Sequence, residues 1–435
     1  MLRAKNKTGL VFFPAFDWAI SPTHPEREER LLYTQDQIIE EGLLDIPGIT
    51  EYRARPATYE DIRRVHFCFP DERAVTTESH LISSGGCMVA ADALMKKEVE
   101  CAFALVRPPG HHATRIVYGN RGFCNVNNEA IMIEYIRDTY GVRKVAIVDT
   151  DCHHGDGTQD IYWNDPETLF ISMHQDGRTL YPGSGFPTEF GGINARGTTL
   201  NIPLPPNTGE EGFLYVLDEI VIPALERFEP ELVVNSAGQD NHYSDPITNM
   251  NFSAQGYATL TSRLKPHLAV LEGGYSIEDS LPYVNVGIIL ALAGLDYSHV
   301  REPRYDVEYK PQPRDITSFI QRLAKELNAY FVGEEHLRHC QSDGTIIKRS
   351  RCIHYDTDMI QDEQSELIRV CRQCAGAWCI HSRSSWGHKT LAVHNPRHSC
   401  PECTKTALEW FDQADKKTYQ HVVLQDRANR TYVMK

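Results

Sequence analysis

The 435-residue chain has no long apolar run. No stretch approaches the roughly 18 to 20 consecutive apolar residues that a membrane span needs. Behind the basic N-terminus, Pro14 and Asp17 interrupt the first apolar segment, which argues against a secretory signal. We therefore expect no membrane partner and a cytoplasmic location.

Basic residues are scarce, because 44 Lys and Arg stand against 59 Asp and Glu, for a net charge of −15. The deficit lies in the first 300 residues, which carry 23 basic and 41 acidic side chains, whereas the remaining 135 carry 21 and 18. An acidic body argues against nucleic acid as the main partner and suits a cationic substrate. An acidic surface kept for solubility explains the same numbers equally well.

Cysteine is sparse in the first 300 residues, and those present lie mostly beside apolar segments: Cys68, Cys87, Cys101, Cys124 and Cys152. The other seven crowd between Cys340 and Cys403. The scattered set is typical of reduced, buried thiols, and the crowded set indicates a metal framework.

Short apolar runs predict seven strands, at Leu10–Phe13, Phe103–Val106, Val145–Val148, Leu169–Met173, Thr199–Ile202, Leu232–Asn235 and Leu268–Leu271. Helical periodicity appears between several of them, at Gly86–Lys97, Asn128–Tyr140 and Phe213–Phe228. This alternation predicts an α/β fold, a parallel sheet with helices on both faces.

Polar clusters directly follow the predicted strands, at Arg107–His112, Asp149–Asp156, His174, Ser236–Asp240 and Glu272–Tyr275. Ligands of parallel sheets bind at the carboxyl ends of the strands. We therefore expect these loops to build one site.

Asp151 and His153 are two residues apart, so on an extended strand end their side chains point to the same side. With Asp240 they make three ligands and leave a fourth position open, which is the plan of a catalytic metal site. Such a metal lowers the pKa of bound water to about 7 and polarises a carbonyl. Taken singly, Asp151 is equally well a helix cap and His153 a turn residue.

His111 and His112 follow a rigid Pro-Pro-Gly turn and can supply a general base and an electrostatic partner, with Asp149 and Asp156 available to set their tautomers. Without a metal nearby, a surface His pair explains them better. Tyr275 follows two glycines and can donate to an oxyanion, although alone it reads as a half-buried aromatic.

Six motifs occur in a fixed order: Arg107–Ala113, Gly122–Asn128, Asp149–Gly157, Tyr181–Gly185, Ser236–Asp240 and Glu272–Tyr275. Over roughly residues 8 to 300 they resemble the zinc-dependent histone deacetylase family, most closely its class II-like and bacterial amidohydrolase members. The resemblance implies an arginase/deacetylase-type α/β fold.

The resemblance also implies roles for the residues of the expected site. His112, oriented by Asp156, would act as general base and then general acid. His111, oriented by Asp149, would stabilise charge, and Tyr275 would polarise the scissile carbonyl. The implied metal ligands are Asp151, His153 and Asp240 for zinc, and Asp149, Asp151, His153, Ser172 and Met173 for a structural potassium ion.

The implied acyl-lysine channel is lined by Phe123, Tyr181, Ile247 and Gly273. This chain departs from the family pattern in three ways. Tyr181 replaces a common Phe, which predicts a polar wall, and the loop from Ala113 to Gly122 is about two residues longer. The rim Asp that grips the substrate backbone has only Asp71 as a weak counterpart. Ile247 stands where a Glu would mark a polyamine-selective site, which favours peptide acyl-lysine.

The end of the chain predicts a separate module. We expect a catalytic domain over residues 1–335, with a proline-rich linker from about 297, and a Cys-rich domain over 336–435. Asp315–Tyr330 predicts a helix that packs on the body through an apolar stripe of Ile316, Phe319, Ile320, Leu323 and Leu327.

Cys371, Cys374, Cys400 and Cys403 form two Cys-x-x-Cys pairs, which predict a structural zinc in a small zinc-ribbon-like domain. Free or redox-active thiols are the alternative. Enough further ligands remain for a second zinc, namely Cys352, His354, Cys379, His381, His388, His394 and His398. Residues Tyr419–Met434 predict a hairpin. The module could recruit substrate, form a homo-oligomer or cap the tunnel.

These observations predict zinc-dependent hydrolysis of N6-acetyl-lysine in peptides or proteins. An amidohydrolase acting on acetylpolyamines or other small acylated amines is the alternative. A non-catalytic acyl-lysine binding module is a third, less favoured reading, because the metal, His and Tyr set is complete.

Overall fold

The body of the chain is an eight-stranded parallel sheet, seen in a computed structural model that describes residues 2–334 and 342–435. The first ten strands are β1 (Thr8–Phe13), β2 (Ile49–Tyr52), β3 (Phe67–Cys68), β4 (Cys101–Val106), β5 (Ile116–Val117), β6 (Val145–Asp149), β7 (Thr168–Gln175), β8 (Thr199–Leu204), β9 (Leu232–Ser236) and β10 (Leu268–Val270). The sheet order is β2-β1-β4-β10-β9-β6-β7-β8, and β3 pairs with β5 separately. All seven predicted strands are confirmed. The edge strand β2 was missed because half of it is exposed and polar.

Helices cover both faces of this sheet, as predicted. They are α1 (Leu32–Glu40), α2 (Tyr59–Arg63), α3 (Glu72–Val75), α4 (Glu78–Met95), α5 (Asn128–Tyr140), α6 (Asp156–Tyr162), α7 (Glu210–Val216), α8 (Ile222–Phe228), α9 (Ala254–Leu264), α10 (Leu281–Leu292), α11 (Tyr305–Glu308) and α12 (Arg314–Glu334). Side chains of β6 alternate between two apolar clusters, with Ala146 and Val148 in one and Val145 and Ile147 in the other. The core is therefore two layers divided by the sheet.

Local chemistry sets the ends of the helices. The Asn127 side chain accepts from the Ala130 N–H at 2.8 Å, and Gly141 at φ +75° ends α5, so the predicted span is confirmed. The predicted helix at Phe213–Phe228 is instead α7 and α8 joined by a π turn at Leu217–Val221. Pro223 lacks an N–H and cannot complete a regular ladder there.

Helix α12 packs its apolar stripe on the body. Ile320, Ala324 and Leu327 are buried in the same apolar cluster as the sheet. Phe319 was predicted to belong to this stripe, but it is 42% exposed because it points away from the contact. Within the described residues, no helix has the length and apolarity to cross a bilayer.

The C-terminal unit is a six-stranded sheet with one helix. Its elements are β11 (Ile346–Tyr355), β12 (Ile360–Arg369), β13 (Trp378–Ser384), β14 (Lys389–Asn395), α13 (Pro401–Asp412), β15 (His421–Asp426) and β16 (Thr431–Met434). The strands lie in chain order, and the antiparallel β15–β16 pair confirms the predicted hairpin. The predicted boundary between residues 335 and 336, and Cys340, lie outside the described residues.

The two units share an apolar interface. One cluster combines body residues with C-terminal ones, namely Phe67, Phe69, Ile116 and Tyr118 with Tyr355, Ile360, Ile368, Trp378, Ile380, Ala392 and Val423. The Tyr355 hydroxyl donates to the Ile116 carbonyl at 2.7 Å, and Tyr118 bonds the Ser382 hydroxyl at 2.8 Å. Burial of this kind fixes the C-terminal unit on the body.

Candidate active site

Three predicted metal ligands converge at the carboxyl ends of adjacent strands. Asp151 and His153 follow β6, and Asp240 follows β9, which pairs with β6. One ligand atom of each lies within 4.8 Å of the others. His153 Nδ1 is 2.9 Å from Asp240 Oδ2 and 3.2 Å from Asp151 Oδ1. The set that the spacing predicted is thus assembled.

The chemistry of this set fits a cation. Both carboxylates and the imidazole are buried, and burying two carboxylates together costs free energy unless positive charge is shared between them. Although burial opposes its charge, Asp240 raises the pKa of His153 to about 10. A metal would take the place of that proton. Two oxygens and one nitrogen, with room for a fourth ligand, suit zinc.

Gly273 closes one side of the set. Its N–H donates to Asp151 Oδ2 at 2.6 Å, and a Cβ there would lie 2.4 Å from Asp240 Oδ2. Such a distance is a clash, so the position admits glycine alone. The close approach brings the following residues, including Tyr275, onto the site.

The His pair lies beside this set, and each imidazole has the predicted partner. His111 Nδ1 is 3.0 Å from Asp149 Oδ2, and His112 Nδ1 is 2.8 Å from Asp156 Oδ1. The ring centroids are 4.1 Å apart. Glu272 holds the backbone in place, since its Oε2 accepts the N–H of His111 at 3.0 Å.

The surroundings shift the pKa values of the two imidazoles in opposite directions. Burial and the neighbouring His111 lower the pKa of His112 to about 3. Burial opposes charge on His111, yet Asp151 and Asp149 raise the pKa of His111 well above its ordinary value. Nε2 of His112 makes no hydrogen bond within the described residues. A neutral base therefore stands next to a fixed positive charge.

Arg121, which the sequence analysis missed, supports the base. Its Nη1 donates to Asp156 Oδ1 at 2.8 Å, and its Nη2 lies 2.5 Å from Asp156 Oδ2. Burial opposes ionisation of Asp156, but Arg121 and the hydrogen bond with His112 lower the pKa of that carboxyl. The carboxylate therefore stays charged and holds the His112 tautomer that leaves Nε2 unprotonated.

Tyr275 is held from two sides. Asp245 Oδ2 accepts its N–H at 2.8 Å, and the Arg30 guanidinium lies 5.0 Å from its ring centroid. Arg30 also donates to the Gly274 carbonyl at 2.8 Å and is paired with Glu26, all of them buried or nearly so. Burial raises the pKa of Tyr275 well above its ordinary value, so the phenol remains a donor. Across the described chain, no group accepts its O–H.

The predicted channel residues contact the groups beside the metal set. The Phe123 ring lies 5.6 Å from Tyr275, and the Tyr181 ring lies 5.1 Å from His112. The Ile247 N–H donates to Asp245 Oδ1, the same carboxylate that holds Tyr275. The two aromatic rings therefore lie beside His112 and Tyr275, whereas Ile247 contacts this region through its backbone.

Two predictions concern residues next to the site. Ser172 pairs with Asp149 across β7 and β6, and Met173 lies in the core, but the potassium assignment stays a prediction. Asp71 was the weak counterpart of a rim carboxylate. It caps α3 instead, where it accepts from the Ala74 N–H at 3.0 Å.

The four cysteines of the C-terminal unit also converge, with their sulfur atoms within 4.8 Å of one another: Cys371, Cys374, Cys400 and Cys403. Within the described residues the further ligands do not assemble into a second zinc site. His394 stacks on Trp378 at 4.5 Å, and His381 bonds the Tyr419 hydroxyl at 2.6 Å. The ligands of the proposed second site are thus used in packing and hydrogen bonding.

Known proteins resemble this chain along most of the body. The histone deacetylase domain family matches residues 73–288. A probable deacetylase of Archaeoglobus fulgidus is 45% identical, covering 68% of this chain and 89% of that protein. A histone deacetylase-like amidohydrolase of Pseudomonas aeruginosa is 33% identical, covering 71% and 86%. The crystal structure of the HDA15 HD domain matches with a TM-score of 0.63 at 25% identity, covering 76% of this chain and 98% of that one.

Proposed function

The chain belongs to the histone deacetylase family, and from this we propose that it is a zinc-dependent enzyme that hydrolyses the amide of N6-acetyl-lysine in peptides or proteins. The family supplies deacetylase or amidohydrolase activity. One observation carries the finer proposal: a three-ligand metal set lies with the Asp149–His111 and Asp156–His112 pairs and with a Tyr275 phenol that has no acceptor among the described residues.

Zinc held by Asp151, His153 and Asp240 would lower the pKa of water and polarise the acetyl carbonyl. His112 Nε2 removes a proton from the attacking water and returns it to the lysine amine as that group leaves. Asp156 and Arg121 keep the imidazole oriented through both transfers.

The remaining groups of the site act on charge. The Tyr275 O–H donates to the carbonyl oxygen as negative charge develops there. A positive charge on His111 stabilises the same developing negative charge at short range, in surroundings that exclude most water. A buried hydrogen bond to Asp149 fixes the His111 imidazole, and one to Asp245 fixes the backbone of Tyr275.

Two observations support acyl-lysine as the substrate. The channel walls are the Phe123 and Tyr181 rings, which suit the aliphatic part of a lysine side chain. Ile247 is uncharged, whereas the resemblance to the family implies a Glu at this position in a polyamine-selective site. Acetylpolyamines remain the alternative substrate, and acyl-lysine binding without turnover is the third.

The test is acetate release from an acetyl-lysine peptide by zinc-loaded protein, with His112→Ala and Tyr275→Phe as matched controls. We expect turnover by the natural chain and loss of turnover in both variants, each of which keeps its zinc. Equal rates in all three would show that the acetate came from elsewhere and would contradict the proposal.

A further inference from the structure

The C-terminal unit reaches the wall of the channel through the turn between β11 and β12. Asp356 in this turn accepts two hydrogen bonds on Oδ1, from the Tyr181 hydroxyl at 2.9 Å and from the Gly122 N–H at 2.9 Å. Burial keeps the pKa of Tyr181 above its ordinary value, so the phenol donates and the carboxylate accepts. A residue 175 positions away in sequence thus fixes the hydroxyl of a channel residue.

The same turn holds the segment that carries Phe123. Asp358 Oδ2 accepts the Asn120 N–H at 2.6 Å, and the Thr357 hydroxyl donates to Asn120 Oδ1 at 2.7 Å. Behind the turn, the buried Tyr355 hydroxyl bonds the Ile116 carbonyl. Several hydrogen bonds from this one turn therefore hold the body segment at residues 116–123, which includes Phe123.

That stretch needs external support. Gly122 at φ +53° and Phe123 at φ +69° are both left-handed, and this backbone costs a bulky residue such as Phe free energy. The space is also tight, because a Cβ on Gly122 would lie 2.5 Å from the His112 ring and 2.9 Å from Tyr181. Such a conformation persists only when surrounding contacts hold it.

We propose that Asp356 is a positioning residue of the substrate channel, through which the C-terminal unit fixes the two aromatic walls. This rests on the proposed function only in that the channel is taken to hold an acyl-amine. Removing the carboxylate frees the Tyr181 phenol and the Gly122 N–H together. The walls then lose their preorganisation, while the metal ligands and the His pair keep theirs.

The test compares two hydroxamates that differ in how much of the channel they fill. Acetohydroxamate reaches the metal alone, whereas a linear hydroxamate with a six-carbon chain and an anilide end also contacts the walls. In zinc-loaded full-length Asp356→Ala we expect the long probe to bind about tenfold more weakly, as for loss of hydrogen bonds to a charged group. Acetohydroxamate should bind within about twofold of its natural affinity, since it makes no wall contact.

The matched control is Glu363→Ala, which removes an exposed carboxylate of the same hairpin that pairs with Arg383 on the surface. It should leave both affinities unchanged. Asp356→Asn retains an acceptor oxygen and should recover most of the lost affinity. Equal weakening of both probes in Asp356→Ala would overturn the proposal, because it would indicate general damage to the fold.

A double-mutant cycle tests the route through Tyr181. If Asp356 acts through the phenol, the loss in Asp356→Ala should shrink severalfold when Tyr181→Phe is already present. Fully additive losses would contradict that route. For turnover of the peptide we expect a raised KM with kcat nearly unchanged. Probe binding without acetate release by the natural chain would refute the proposed function yet leave this test intact.

Discussion

The two metal sets of this chain differ in how many ligands they have and what surrounds them. Asp151, His153 and Asp240 are three mixed ligands at the ends of parallel strands, and a fourth position is left for water or substrate. The C-terminal set has four thiols and no free position, which is the plan of a structural zinc. The first arrangement is typical of a catalytic metal site, and the second is typical of a structural one.

The difference extends to the neighbours of each set. The three-ligand set is next to His111, His112 and Tyr275, to which the proposed mechanism gives proton transfer and charge stabilisation. The four-cysteine set is next to Arg369, whose Nη1 lies 3.4 Å from Cys403 Sγ and whose strand ends at the set. Arg369 belongs to β12, the strand that starts from the turn holding Tyr181. A single strand thus joins the four-cysteine set to the turn that holds Tyr181.

The largest effect is expected from a substitution in the three-ligand set of Asp151, His153 and Asp240. Asp240→Ala removes one of three ligands, so we expect acetate release to fall by more than about 10³-fold, because both water activation and carbonyl polarisation depend on the metal. Metal analysis should find one zinc per chain instead of two. Two retained zinc ions with normal activity would show that Asp240 is not a ligand.

Tyr275→Phe leaves the metal sets intact and removes one donor. We expect kcat to fall by roughly 10²–10³, the usual cost of losing an oxyanion donor. Zinc content should stay at two per chain, and acetohydroxamate affinity should change little. A variant with normal kcat would mean that the phenol does not touch the carbonyl oxygen.

Arg121→Met removes the ion pair that fixes Asp156. Because Asp156 then holds His112 less firmly, we expect kcat to fall about tenfold and KM to stay within about twofold. Arg121→Lys keeps the positive charge but not the two-point contact with Asp156, and its kcat should lie between those of the natural chain and Arg121→Met. An unchanged kcat in Arg121→Met would show that Asp156 orients the imidazole unaided.

The smallest effect on catalysis is expected from a substitution in the four-cysteine set. Cys403→Ser should lose the structural zinc and lower the melting temperature by on the order of 10 °C, since metal binding adds directly to folding free energy. Well below that temperature, activity should fall only severalfold, through weaker docking of the turn that holds Tyr181. Complete loss of activity with the catalytic zinc still bound would mean that the two sets are not separable in this way.

Much of this could be predicted from the sequence because the relevant signals are local. Asp151 and His153 are two residues apart, and His111 and His112 are adjacent, so their spacing alone indicated candidate site residues. Arg107 and Glu272 also lie inside the recognised motifs, but their complete burial is visible only in the structure.

The rest depends on contacts between distant segments. Arg30 reaches the Gly274 carbonyl from 244 residues away, and Asp356 reaches Gly122 from 234. No periodicity or motif links such positions, because they meet only when segments distant in sequence pack together. The expectation that Phe319 is buried failed for a related reason: periodicity gives the apolar face of a helix but not the width of its contact.

The most direct test of the account is a competition between an acetyl-lysine peptide and an N-acetylpolyamine for the same zinc-loaded protein. Acetate release from each is followed by separating the two deacetylated products. The account predicts a higher kcat/KM for the peptide, because Ile247 offers no charge for a second ammonium group. A higher kcat/KM for the polyamine, or product from neither, would contradict it.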